Sequence, residues 1–376
     1  MVTEKGKVNL VLPVMIQDDK EVAAFLQAKE RIERLGDKYS FPVEVGIFLN
    51  FLPGFTRKPG AFEQQLANQE RYRLPIRLVE TGIQRNNSLS YVPGDPTYKP
   101  GVASDLERTI EQAARLRDLD PKPLDNLVIA PHVGVMVNAR IPRGNFNEPA
   151  FYSVQDFVER RDFLYQNIKQ RFEELDKLAK SHGLKLGLEN AYLGVVEDFS
   201  FWQRREEGKD LKGKAHDVGY QAFNDFPSLN DISGGNLVFD VNHYSAMVNL
   251  PRQFEANHDI LSPEALFATM GISSWGGYFD RVGSVEDYVS RSHALHISQV
   301  NGIAVRIKKG ELDVEGRDAY SRWCPEKNLI SNSVYLAYLV RARERSWPVS
   351  VEEDYGLKPL NFEEADRFLE PILGNH

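Results

Sequence analysis

Apolar residues recur along this chain in two periods that take turns. Val8 to Met15, Glu44 to Asn50, Pro75 to Glu80, Leu127 to His132, Gly183 to Glu189, Leu237 to Asn242, Ala294 to Val300 and Pro348 to Glu353 read as strands, several with every second residue apolar. Stretches with helical spacing lie between them. Val22, Phe25, Leu26 and Ile32 make a stripe from about Lys20 to Leu35, with Asp18 and Asp19 as cap candidates. Phe157, Leu164, Ile168, Phe172, Leu175 and Ala179 make another, in a long helix that Ser153 and Asp156 open and Gly183 closes. Further helices are expected at Ala61 to Tyr72, from a Ser104/Glu107 capping pair to about Leu116, at Pro263 to Met270, at Ser284 to Ser292, at Val334 to Arg345, and after Asn361.

Strand and helix alternating about eight times predict a parallel sheet, and eight such units close into a barrel. The expected fold is α/β: a single (β/α)8 TIM barrel domain over residues 1–376 with long βα-loop insertions, at Phe51 to Arg73, Ala191 to Asn236 and Tyr244 to Ser292. An open, doubly wound sheet is the competing architecture, but no Gly-x-Gly-x-x-Gly follows the first strand.

Four strands end on a metal-capable side chain placed opposite their apolar face. In Gly183-Leu-Lys-Leu-Gly-Leu-Glu189 the leucines alternate with Lys185, Gly187 and Glu189. Leu237-Val-Phe-Asp240, Ala294-Leu-His296 and Val349-Ser-Val-Glu352 repeat the device, each with a small or compact residue two places before the polar one. Glu352 is preferred to Glu353 because Val349 and Val351 define the outward face. In a barrel these strand ends share one mouth, so Glu189, Asp240, His296 and Glu352 form a ligand set for a divalent cation. His243, in Asp240-Val-Asn-His243, either turns into the mouth as a contact of substrate or ligands, or caps the loop. His132, after Pro131, is either a site residue or a loop histidine, whereas His293 is expected to be structural, at a strand entrance.

Composition narrows the partners. The net charge of -8 argues against nucleic acid gripped through its phosphates. Cys324 is the one cysteine, which excludes an internal disulfide and a cysteine-rich metal site and suits a reducing compartment. The first residues lack the pattern of a signal peptide, and no apolar run approaches the ~20 residues that cross a bilayer. A soluble, cytoplasmic protein with no membrane partner is expected.

Taken together, Glu189-Asn190 after an apolar strand, Phe239-Asp240-Val-Asn-His243, Leu295-His296-Ile-Ser and Val349-Ser-Val-Glu352 resemble the xylose-isomerase-like TIM-barrel superfamily. That superfamily includes sugar isomerases, ketose 3-epimerases and endonuclease IV, and the resemblance spans about Leu127 to Tyr355. It implies one divalent ion (Mn, Co, Mg or Zn) on Glu189, Asp240, His296 and Glu352, and leaves a second ion near His132 open. The expected activity is a metal-dependent isomerase or epimerase of a sugar or hydroxy-ketone. Glu189 and Glu352 would be the catalytic pair that moves a proton through an enediolate, and His243 and His132 would bind the substrate. The resemblance is also compatible with a homo-oligomer. An endonuclease IV-like phosphodiester hydrolase is the alternative. Its pattern needs a histidine at the third strand end, where this chain has Leu78-Val-Glu80-Thr81, and an Asp-x-His pair after the seventh strand, where Asn301 to Trp323 contains no histidine. A catalytically inactive barrel used for binding is the third reading.

Overall fold

The computed structural model describes residues 6–14, 16, 18–51, 60–81, 89–90, 105–137, 150–191, 194–195, 219–256, 263–297, 305–308, 311–314, 330–351 and 362–375. Strands β1 (Val8–Pro13), β4 (Leu127–Ala130), β6 (Leu237–Asp240) and β8 (Pro348–Val351) are buried at every position. Helices cover one face of such strands and the barrel interior fills the other. Strands β2 (Val43–Phe51), β3 (Ile76–Thr81) and β7 (Ser292–Ile297) continue the sheet. Strand β5 comes in two pieces, Leu184–Leu186 and Leu188–Glu189, broken at Gly187.

That break closes the barrel. The first piece of β5 pairs in parallel with β4 and the second with β6. The hydrogen-bonded order therefore leaves one half of β5, runs through β4, β3, β2, β1, β8, β7 and β6, and returns to the other half. The protein is a (β/α)8 barrel. Gly187 is needed at the seam, because a Cβ there would lie 3.0 Å from Val238 Cγ2 and 3.3 Å from Val128 Cγ1. Those two valines, with Val11, Phe48, Leu78, Ala130 and Ala294, fill the interior. The outward residues of the same strands pack on the helices in a second apolar layer that includes Phe25, Ile32, Leu164, Phe172 and Leu339. Burying one such side chain contributes about 1.5–3 kcal/mol.

The helices follow their local signals closely. Asp18 caps Asp19–Lys38 by accepting from Glu21 N, and Val22, Phe25 and Ile32 face inward. Leu26, expected in that stripe, is instead 42% exposed. Ser153 caps Val154–Ser181, and Gly183, at φ 67°, ends it. The helix at Leu106–Asp118 is preceded by Asp105 with no side-chain cap bond, while Ser104 lies outside the described residues. Strand β4 stops at Ala130, two residues short of the expected end. Strand β6 stops at Asp240, and the helix Val241–Ala256 begins at once, where a loop was expected.

Two excursions meet above the barrel. Val135–Val137 and Ala150–Tyr152, after β4, join Gly219–Gln221 and Gly194–Val195, after β5, in a four-stranded sheet. The charged run Arg204 to Lys214 lies outside the described residues. Among the described residues no helix is long and apolar enough to cross a membrane.

Candidate metal centre

Glu189 closes β5 with its side chain inward, because Leu184, Leu186 and Leu188 occupy the outer apolar layer. It is 1% exposed. Its Oε1 lies 3.0 Å from His296 Nδ1, and its Oε2 lies 3.6 Å from His132 Nε2. His296 projects inward from β7 between Leu295 and Ile297, which face out, and its ring packs 5.6 Å from that of Phe48.

Asp240 ends β6 and turns directly into a helix. The N–H groups of Asn242 and His243 donate to its Oδ1 at 2.7 and 2.8 Å, so the carboxylate also caps the helix it precedes. His243, three residues on, falls on the same side of that first turn. Its Nδ1 lies 2.8 Å from the backbone oxygen of Asn190 and 3.2 Å from Asp240 Oδ2. A carbonyl only accepts, so Nδ1 carries a proton, and the neutral imidazole has its lone pair on Nε2.

Glu80 completes the group, and nothing in the strand pattern marked it. Ile76 and Val79 on β3 belong to the outer layer and Leu78 to the interior. Arg77 also faces in, for its Cγ lies 2.5 Å from where a Cβ on Gly46 would be. Two consecutive inward residues are a bulge, and the β2–β3 register shifts between Ile47 and Phe48. Plain alternation from Arg77 would have turned Val79 inward and Glu80 out among the helices. The extra residue re-aims Glu80 into the mouth, where its Oε1 sits 3.4 Å from His132 Nε2.

Two overlapping trios result, Glu80–His132–Glu189 and Glu189–Asp240–His243, each with ligand-capable atoms within 4.8 Å of one another. Glu189 belongs to both. Of the residues expected from the sequence, the structure thus brings together Glu189, Asp240, His296, His132 and His243, while Glu352 lies outside the described residues. His293 sits at the opposite end of β7, against Lys185.

The donor set suits a divalent ion. Around a tetrahedral ion with bonds of about 2.0–2.1 Å, ligand atoms stand roughly 3.3–3.5 Å apart, wider than an ordinary hydrogen bond. The Glu80–His132 and His132–Glu189 separations of 3.4 and 3.6 Å are of that size. Glu189 Oε2 and His132 Nδ1, both buried, make no hydrogen bond among the described residues. Burial alone would push the Glu189 pKa up, but the imidazoles of His296 and His132 outweigh it and hold the carboxyl well below the usual carboxylate range.

No protein-family model and no curated protein sequence matches the chain. Solved structures do. The TTHB071 protein from Thermus thermophilus, soaked with ZnCl2, is 16% identical, with a TM-score of 0.46 over 98% of each chain. D-Psicose 3-epimerase from Clostridium cellulolyticum, solved with D-tagatose, is 11% identical, with a TM-score of 0.45 over 98% of this chain and 97% of that one. A xylose isomerase domain containing protein from Salmonella typhimurium is 12% identical, with a TM-score of 0.41 over 100% of this chain and 98% of that one.

Proposed function

We propose that this protein is a divalent-metal-dependent isomerase or epimerase acting on a small carbohydrate or hydroxy-ketone. One observation carries the reading: Glu189 is fully buried, with one oxygen against His296 and the other facing His132 without a hydrogen bond. Glu189, Asp240 and His296 would hold the ion, with Glu352 as the fourth ligand. Once bound, a divalent cation supplies Lewis acidity toward a carbonyl and its neighbouring hydroxyl.

The chain's own groups do the rest. Glu189, ionised at neutral pH, takes the proton from the carbon next to the carbonyl, and the C–H electron pair becomes the double bond of an enediolate. Glu352 returns a proton to the opposite face in an epimerase, or to the adjacent carbon in an isomerase. His243, with Nδ1 donating to Asn190, presents Nε2 as an acceptor for a substrate hydroxyl. His132 stands on the other side of Glu189 as the second contact for substrate oxygen.

The Glu80–His132–Glu189 trio favours one competing reading, two-ion hydrolysis of a phosphodiester. The position that lacks a histidine at the third strand end holds Glu80, a carboxylate that can ligate as well. Metal analysis and assay of the full chain separate the two. One tightly held ion, with solvent deuterium entering a ketose and lost in Glu189→Gln, supports the isomerase. Two ions with incision of abasic DNA, and no exchange into any sugar, would replace it with the hydrolase.

A further inference from the structure

Asn190 follows Glu189, and no step of the chemistry above uses its side chain, yet it is wholly buried and both its amide oxygen and its amide nitrogen are hydrogen-bonded. Its Nδ2 donates to the backbone oxygen of Asp240 at 2.9 Å. Its Oδ1 accepts from the backbone N–H of Asp240 at 2.8 Å. The pairing leaves no freedom in the amide's orientation, since one partner only accepts and the other only donates. The regular ladder between β5 and β6 ends at Val238 opposite Glu189. One residue later the Asn190 side chain supplies the acceptor and the donor that continuing strand backbone would have offered to Asp240. Its own carbonyl, meanwhile, accepts from His243 Nδ1 at 2.8 Å.

A single residue therefore grips both neighbours of Glu189 in the second trio: Asp240 by its backbone and His243 by its ring. We propose that Asn190 is a positioning residue of the metal centre: its side chain sets the height of Asp240 so that the carboxylate is presented to a divalent cation beside Glu189, while its backbone carbonyl orients His243 toward the substrate. The proposal rests on the metal-dependent reading above. Few side chains could replace it. Ala and Ser are too short to reach either backbone group, Gln is one methylene too long, and Asp would set a carboxylate against the Asp240 carbonyl.

The test titrates Mn2+ alone into the full-length native chain, Asn190→Ala, Asn190→Ser and Gln69→Ala, with urea unfolding of each in a chelator. Gln69 is the control, because it is equally buried and donates to a backbone oxygen, that of Leu74 at 2.8 Å, in a helix away from the mouth. Both Asn190 variants are expected to bind Mn2+ roughly 10–100-fold more weakly, the usual cost of losing a group that orients a ligand. Gln69→Ala should lose comparable stability and keep its affinity within about threefold. Asn190 variants that lose stability but bind Mn2+ within about threefold of native would overturn the proposal, leaving a simple strand clip. If Asn190→Ala does not fold, Asn190→Ser decides. A native chain that binds no Mn2+, Co2+, Mg2+ or Zn2+ would overturn the metal-dependent reading itself, and this proposal with it.

Discussion

Three strands carry a polar residue at each end of the barrel interior: Arg77 and Glu80 on β3, Lys185 and Glu189 on β5, His293 and His296 on β7. The entrance end answers its own polarity. Arg77 Nη1 donates to Asp120 Oδ2 at 2.8 Å, and Asp120 also receives the N–H groups of Ile76 and Lys122 at 2.7 and 2.8 Å. Lys185 Nζ lies 3.2 Å from His293 Nδ1. The mouth does not. Glu189 Oε2, His132 Nδ1 and Ser350 Oγ are buried there with no hydrogen bond among the described residues. Each such group costs about 1–3 kcal/mol. Polarity inside a barrel is therefore a poor sign of a site, and polarity left unanswered is a good one.

The contrast is sharpened most by removing Asp120. Asp120→Ala leaves the buried Arg77 guanidinium with the Ile76 backbone oxygen at 2.9 Å and its next carboxylate, Glu44, 3.9 Å away, and stability should fall by about 3–5 kcal/mol in urea unfolding. Mn2+ affinity should stay within about threefold, and a parallel loss would mean that the two ends are not independent. Gly46→Ala should cost less, about 1–3 kcal/mol, because the new Cβ meets Arg77 Cγ at 2.5 Å and the Pro75 backbone oxygen at 2.9 Å. An unchanged unfolding midpoint would show that the bulge yields freely.

The smallest effect is in pH. Burial, helped by Lys185 and Arg345, lowers the His293 pKa from 6.5 to about 4. Between those values the unfolded chain binds a proton that the folded chain refuses, so stability falls as the pH drops through that window. His293→Asn should flatten the decline, read by urea unfolding at about pH 7.5 and about pH 5. An equal slope in both proteins would assign the acid sensitivity elsewhere.

The same strands show why some of this was legible in the sequence and some was not. Strand β5 keeps its period of two through the Gly187 break, so Leu184, Leu186 and Leu188 point to an inward Glu189 directly. Strand β3 does not keep its period, and Glu80 is visible only once the bulge at Arg77 and Leu78 is known. A strand-by-strand reading has no access to that register, which is set by the neighbour. His243 was legible as Asp-x-x-His, although its place in the first turn of a helix was not, because strand β6 passes into helix with no intervening turn residue. Asn190 leaves no periodic trace, since its bonds run to a backbone 50 positions away. Trp275 and Tyr278 pack with each other and, through Trp275, with Phe254 and Phe267.

His132 is suspended between two sheets. Below it, Ala130 is paired to Glu80 in the barrel; above it, Val135 is paired to Ala150 in the sheet over the mouth; and from the side, Leu89 N donates to its carbonyl at 2.9 Å. Adding one residue between Pro131 and Gly134 would reverse the faces of Val135 and Val137, which are both buried. The spacing of those few positions is thus held to a fixed length from both directions, and evolution can vary the excursion beyond them far more cheaply than the short bridge that carries the imidazole.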